Sequence, residues 1–314
     1  MSTLFTHFFD KINQISPLEH DFTQRLGSIA LKPKILYFYG KLPENVAKIK
    51  CQGVKNRPKT VAIVGSRHNT RYGEEVAYQL AYELGKRGVI VVSGLAFGID
   101  SVGHRGCLDA GGTTIAVLGT AIDNIYPKSH LSLAKEIIEK NGAIISEYPP
   151  GSNPITTYSF LERNRIISGL SDIVVVIEAA ERSGSLNTAT HALEQGKDIF
   201  AVPGNITSPY SQGCNKLIRQ GAFPYTEPDD ILKLLFPEDY LKNHQIAKKR
   251  GIIGDTDVET LILKALSEGL RSGDEISRTT HLPPEIFNQT ITLLEIKGRV
   301  YSLGMNNWSL RFKQ

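Results

Sequence analysis

Residues 60–100 read TVAIVGSRHNTRYGEEVAYQLAYELGKRGVIVVSGLAFGID, and this stretch decides the fold. Thr60–Val64 is a short, almost wholly apolar run rich in β-branched residues, the pattern of a strand covered on both faces. A glycine turn, Gly65-Ser66-Arg67, follows it. In residues 71–86, Tyr72, Val76, Leu80 and Leu84 recur every four positions beside Ala77 and Ala81, which predicts a helix with one apolar stripe. A second apolar run, Val89–Val92, then ends in another glycine turn, Gly94 to Gly98. Strand, helix and strand joined this way form a parallel pair with a crossover.

The pattern continues outward. Further strand-like runs stand at Thr113–Leu118, Ala143–Ser146, Asp172–Ile177 and Asp198–Val202, with helical segments between them. The fold class is therefore α/β, an extended Rossmann-like doubly wound parallel sheet. Residues 1–56 read as a short N-terminal extension, with a helical stub from Leu4 to Ile15 and a β-like run at Ile35–Tyr39. Residues 57–236 form the α/β domain, and 237–254 a linker marked by Lys248-Lys249-Arg250. In 255–314 three short helices precede strands around Gly304-Met305-Asn306-Asn307, a winged-helix pattern.

Composition narrows the class. In 314 residues there are 36 Lys+Arg and 32 Asp+Glu, a net charge of +4, too small to show nucleic-acid binding without knowing where the charges sit. Three cysteines (Cys51, Cys107 and Cys214) form no CxxC pair, which argues against a disulfide framework or structural zinc and fits a reducing cytoplasm. The N-terminus shows no export signal, and no apolar run approaches the ~18–20 residues needed to span a bilayer. No membrane association and no cofactor are expected.

In an open α/β sheet, ligands sit beyond the carboxyl ends of the strands. Here those ends carry Gly65-Ser66-Arg67, Gly94 to Asp100, Gly119-Thr120 and Ser183-Gly184-Ser185. Such turns gather backbone N–H donors, and helix N-termini add a positive dipole end, so the edge suits phosphates. The dinucleotide fingerprint GxGxxG and the phosphate loop GxxxxGK[ST] are both absent. Asp100 and His104, four apart, read as a helix N-cap with a histidine one turn later rather than a metal or proton-shuttle pair. His191 and Glu194 read as surface or packing residues. No nucleophile motif is present. The segment Phe160-Leu-Glu-Arg163-Asn164-Arg165 offers two guanidiniums and an amide beside an aromatic ring, a combination that grips phosphates and stacks unpaired bases. The ordinary alternative is a core Phe160 with both arginines paired to Glu162 or Glu178.

Together the motifs form an ordered series: Gly65-Ser-Arg67, Ser93 to Asp100 with His104, Thr114 to Gly119 with Asp123 and Tyr126-Pro127, Ser146-Glu147 with Pro149-Pro-Gly151, Arg163 to Ile167, Glu178-Ala179, Ser183 to Leu186, Ala201 to Gly204, and Gly213 with Gly221-Ala222. In this series the chain resembles the DNA-processing protein A family, also called Smf, densely over about residues 30–230. The C-terminal winged helix resembles that family's common appendage. The resemblance implies a homodimer that binds single-stranded DNA and loads RecA onto it, notably during natural transformation, with no established catalytic reaction. It implies a DNA site made of Gly65, Ser66, Arg67, Phe160, Arg163, Asn164, Arg165, Ser183, Gly184 and Ser185. The chain departs from the family pattern at Gly103 and Cys107, where alanines are usual, at Leu161, where a proline is common, and at Ala121, where a glycine is usual.

Residues 255–314 carry a net charge of −1, against +5 for the rest. The polar face expected for the third helix (Glu285, Asn288, Gln289, Thr292, Glu295) lacks the arginines and lysines of a duplex-reading helix, so contact with protein or modulation of the α/β domain is the stronger expectation. A rival from another class is a nucleoside-monophosphate phosphoribohydrolase of the Lonely Guy type. That rival needs a glutamate after its glycine turn, where this chain reads Ser183-Gly-Ser-Leu-Asn-Thr-Ala-Thr-His191. A transcription regulator acting through the winged helix on duplex DNA is a third reading.

Overall fold

The computed structural model describes residues 11–44, 57–154, 157–237 and 254–310. The chain divides into two compact units, residues 1–231 and 232–314. In the first, nine strands form one sheet: β1 (Asn13–Ile15), β2 (Leu36–Gly40), β3 (Thr60–Val64), β4 (Ile90–Ser93), β5 (Thr114–Leu118), β6 (Ala143–Ser146), β7 (Ile173–Val176), β8 (Asp198–Ala201) and β9 (Phe223–Pro224). Their order is β1-β2-β6-β5-β4-β3-β7-β8-β9. From β6 to β9 every pairing is parallel, while β1 and β2 run antiparallel at one edge. The helices are α1 (Arg71–Lys86), α2 (Ile99–Asp109), α3 (Leu131–Glu139), α4 (Thr157–Gly169), α5 (Gly184–Glu194), α6 (Gln212–Arg219) and α7 (Pro228–Leu235).

Alternate residues of each strand feed opposite faces of the sheet. On one face Ala62, Val64, Val92, Ile115, Val117, Ile145, Val174 and Val176 pack with Ile166 and Ile167 of α4 and Ala189 and Ala192 of α5. On the other, Ala116, Leu118 and Ile144 meet Leu108 of α2 and Leu133, Ala134 and Ile137 of α3. Full burial of each large aliphatic contributes about 1.5–3 kcal/mol, so the sheet is a stiff platform. From β3 the chain lays down β4, β5 and β6 on one side, then crosses back to place β7 and β8 on the other. The crevice between the carboxyl ends of β3 and β7 is thus the switch point of the sheet, where such folds bind ligands.

Three expectations change. Residues 13–15 of the expected N-terminal helix form β1 and pair with β2; residues 4–10 lie outside the described residues. Tyr72, expected on the apolar stripe of α1, is exposed and donates its hydroxyl to Pro203 O at 3.0 Å. The inward face of α1 is made by Gly73, Ala77, Leu80, Ala81, Leu84 and Gly85 instead. Asp100 does not cap α2. Gly98 holds that position with φ of 76°, a left-handed value that favours glycine, and its Cα packs on the Ser66–Arg67 backbone.

The second unit has helices α8 (Asp257–Ser267), α9 (Gly273–Thr280) and α10 (Pro284–Ile296) and a hairpin of β10 (Val300–Gly304) and β11 (Asn307–Leu310). Ile262, Leu263, Leu266, Ile276, Phe287, Ile291, Leu294 and Val300 form its core. The residues expected on the polar face of α10 are all exposed. Most of the expected linker, residues 238–253, lies outside the described residues, as does Cys51. No described helix is long and apolar enough to cross a membrane.

Candidate functional site

A cavity of about 820 Å³ opens at the switch point. Nine of the ten residues singled out in the sequence line it: Gly65, Ser66 and Arg67 after β3, Phe160, Arg163 and Asn164 from α4, and Ser183, Gly184 and Ser185 at the start of α5. Arg165 does not. Residues two apart on a helix point about 200° apart, so Arg163 and Arg165 cannot share a face. The Arg165 guanidinium is buried on the other side of α4, where Nη2 donates to both carboxylate oxygens of Glu147 at 2.9 and 2.7 Å. α4 also begins earlier than the sequence suggested, which puts Arg163 and Asn164 in its second turn rather than near its start.

The rim is exposed and cationic. Arg67 is exposed, and its guanidinium carbon lies 5.5 Å from the centroid of the Phe160 ring. Tyr126, 43% exposed, stands 5.6 Å from the same ring at 43°. Phe160 sits this far into the cavity mouth because Gly119 offers no side chain: a Cβ there would come within 2.7 Å of Phe160 Cδ1. Opposite, Ser183 caps α5 by accepting from Ser185 N, and the two hydroxyls lie 2.8 Å apart. This eleven-residue helix brings its N-terminal dipole end to the cavity. Asn164 is held by donating to Gly184 O at 3.3 Å and Asn187 Oδ1 at 3.2 Å.

The floor is buried and carries both signs of charge. Arg163, 6% exposed, donates through Nη1 to Gly94 O at 2.7 Å and to Val117 O, and through Nε to Asn164 Oδ1 at 3.2 Å. Gly94 must be a glycine for this, since a Cβ would fall 2.5 Å from Nη1. Burial pulls the Arg163 pKa down to about 10, opposed by the charge of Asp100. Asp100 accepts from Gly94 N at 3.1 Å and Ala96 N at 3.4 Å. Burial raises its carboxyl pKa, while Arg163 and the backbone donors oppose the rise. Between these anchors Leu95 adopts φ of 60°, a strained value for a branched residue. Its carbonyl lies 2.9 Å from His130 Nδ1.

Sequence reasoning missed Asp100, Tyr126, Leu161, Thr188 and Tyr210 as cavity residues. Asp100 is legible in sequence as the end of the Gly94 to Asp100 turn, where it reads as a helix cap. Tyr126 stood in the ordered motif series without a role. His104 is fully buried, with Nδ1 2.7 Å from Thr114 Oγ1, and makes no pair with Asp100. Burial, with the nearby charges of His130 and Arg163, pushes its pKa down to about 3. His191 and Glu194 form a surface pair at 3.3 Å. Asp100 is the one carboxylate that lines the cavity among the described residues, and two backbone N–H groups occupy it. α5 supplies serines and Thr188 where the phosphoribohydrolase reading requires a glutamate.

Comparison with known proteins identifies the family. Residues 13–236 match the family model for DNA recombination-mediator protein A, and 247–304 that for the DprA winged helix domain. Protein Smf of Escherichia coli is 50% identical over 175 residues, 56% of this chain and 46% of that protein, so the match spans about half the length of that relative. The crystal structure of DNA processing protein A from Streptococcus pneumoniae superposes with a TM-score of 0.61 at 38% identity, over 72% of this chain and 75% of the other. A structure of the Helicobacter pylori protein, described for its single-stranded DNA binding mode, gives a TM-score of 0.61 at 30% identity, over 74% and 98%.

Proposed function

Because the chain belongs to the DNA recombination-mediator protein A family, we propose that it binds single-stranded DNA at the switch-point cavity and loads RecA onto that strand. The observation that carries this reading is the exposed Arg67 guanidinium set over the Phe160 ring beside Tyr126, at the mouth of a cavity that α5 enters by its N-terminus. A cation and π-faces together serve a strand whose bases are free to stack. Gly65, Ser66, Ser183, Gly184 and Ser185 supply donors for phosphate, and Arg67 supplies the charge. Phe160 takes a base. Arg163 and Asn164 act from below, holding the floor. Arg165 is left out of the contact set, because Glu147 already engages it.

The mechanism is positioning: no bond is made or broken, and the strand is held extended for the recombinase. Homodimer formation, transfer to RecA, a role in natural transformation and a cytoplasmic location rest on family membership. The two described cysteines, both free and buried, suit a reducing compartment. The winged-helix unit is assigned to protein contact, because α10 exposes Leu293 and Ile296 beside acidic and amide side chains rather than a basic face.

Titration of labelled single-stranded and duplex oligonucleotides at two salt concentrations tests the reading. Single strands should bind more tightly, and affinity should fall steeply with salt. Equal binding of duplex, or salt-independent binding, would remove it.

A further inference from the structure

The row of rings at the cavity mouth continues outside it. Tyr126, beside Phe160, opens the segment Tyr126-Pro127-Lys128-Ser129-His130, and buried His130 carries the Phe97 ring against its imidazole, 5.0 Å between centroids at 67°. Phe97 is 48% exposed and lies on the loop after β4. Its neighbour Ala96 lines the cavity; Phe97 does not, so its ring stands beyond the wall, toward the carboxyl ends of β4 and β5.

Two left-handed residues set that position. Leu95, fully buried, has φ of 60°, and Gly98, packed on the Ser66–Arg67 backbone, has φ of 76°. Phe97 stands at the outward bend between them. His130 supports the bend twice, through Nδ1 at 2.9 Å from the Leu95 carbonyl and through its contact with the Phe97 ring. A lone exposed phenylalanine is ordinary. This one is presented by a strained loop, in series with two other rings, and the segments flanking it carry the exposed cations Arg67 and Lys128. We infer that the bound strand leaves the cavity across the ends of β4 and β5, where Phe97 stacks a further base outside the cavity and Lys128 takes a phosphate. The inference rests on the single-stranded DNA function proposed above and gives that strand a direction over the sheet. Stacking of this kind accepts any base, because each has a π-face.

The test uses the full chain and anisotropy titrations with an oligothymidylate of about twelve nucleotides. Phe97→Ala should weaken binding about tenfold and leave the salt slope unchanged, because the ring neutralises no phosphate. Lys128→Ala should lower that slope by about 0.7. Phe97→Trp should keep the affinity, and its indole emission should be quenched on binding, beyond any change that the unaltered chain shows through Trp308. Should Phe97→Ala fail to fold, the quenching in Phe97→Trp decides. If Phe97→Ala binds within twofold of the unaltered chain, or Phe97→Trp shows no added quenching, the strand leaves by another side; the inference is overturned while single-strand binding stands. A lower salt slope in Phe97→Ala would mean that the rim around Arg67 has collapsed, and would overturn the stacking role. If the unaltered chain binds no oligonucleotide, both the exit path and the underlying DNA function are overturned.

Discussion

Of the three arginines that the sequence brings to notice, only Arg67 carries its charge to solvent, so the three variants should separate cleanly. Arg67→Ala removes one cation from the rim and nothing from the core. A phosphate contact on single-stranded DNA contributes about 0.7 to the slope of log affinity against log salt. At about 0.15 M salt that release of counterion equals about 0.8 kcal/mol, or about fourfold in affinity. Losing the Arg67–Phe160 stack can only add to this. Anisotropy titrations with an oligothymidylate from about 0.05 to 0.3 M salt measure both quantities. Arg67→Lys should keep the slope and lose part of the affinity, since an ammonium lacks the planar face. Arg165→Ala should leave the slope unchanged, because that guanidinium belongs to Glu147. An unaltered slope in Arg67→Ala, or an equal change in Arg165→Ala, would refute the assignment.

Removing Glu147 leaves the Arg165 charge buried without its partner, so Glu147→Ala should cost about 3 kcal/mol in urea unfolding; a loss below about 1 kcal/mol would show that water replaces the carboxylate. In Gly119→Ala the new Cβ would fall 2.7 Å from Phe160 Cδ1 and 3.1 Å from Phe160 Cα. Phe160 must then shift from under Arg67, and single-strand affinity should drop at least threefold, with about 1–3 kcal/mol of overpacking; wild-type affinity would mean that Phe160 is not the base contact. His104 has its folded pKa near 3, below the unfolded value of 6.5. The unfolded chain therefore binds the proton more readily, and stability, complete above pH 6.5, declines as pH falls toward 3 by up to about 1.4 kcal/mol per unit. His104→Gln should lose that part of the acid slope in urea midpoints between pH 7 and 5, and an unchanged slope would assign it to other groups.

Most of the sheet was legible because its strands are short apolar runs separated by glycine turns. Thr60–Val64 and Ala143–Ser146 coincide with their expected bounds; β5 and β8 differ by a residue at one end, and β4 and β7 by a residue at both. β1 was not legible: Asn13–Ile15 carries no strand pattern of its own and becomes one only by pairing with β2. At the site, the types of residue were readable but not their directions. Arg163-Asn164-Arg165 reads as one cationic cluster along the chain, whereas helical geometry sends its two charges to different places. Asp100 reads as a cap because acidic residues favour helix starts, yet its carboxylate folds back to brace the Gly94–Ala96 loop. Such reversals depend on neighbours distant in sequence.

The antiparallel edge has a practical meaning for anyone trimming the chain to its parallel core. β2 satisfies the outer backbone of β6 through the pairings Tyr37–Ser146, Phe38–Ile145, Tyr39–Ile144 and Gly40–Ala143. A fragment starting at residue 57 would bare the edge of β6, whose Ala143, Ile144 and Ile145 are apolar, ready to recruit copies of itself. It would also lose Arg25, whose guanidinium bolts Thr60 to Asp172 at the opposite end of the strands from the cavity. Among the described residues, those before β3 thus act as the selvedge of the fabric: none of them lines the cavity, and without them the weave would run.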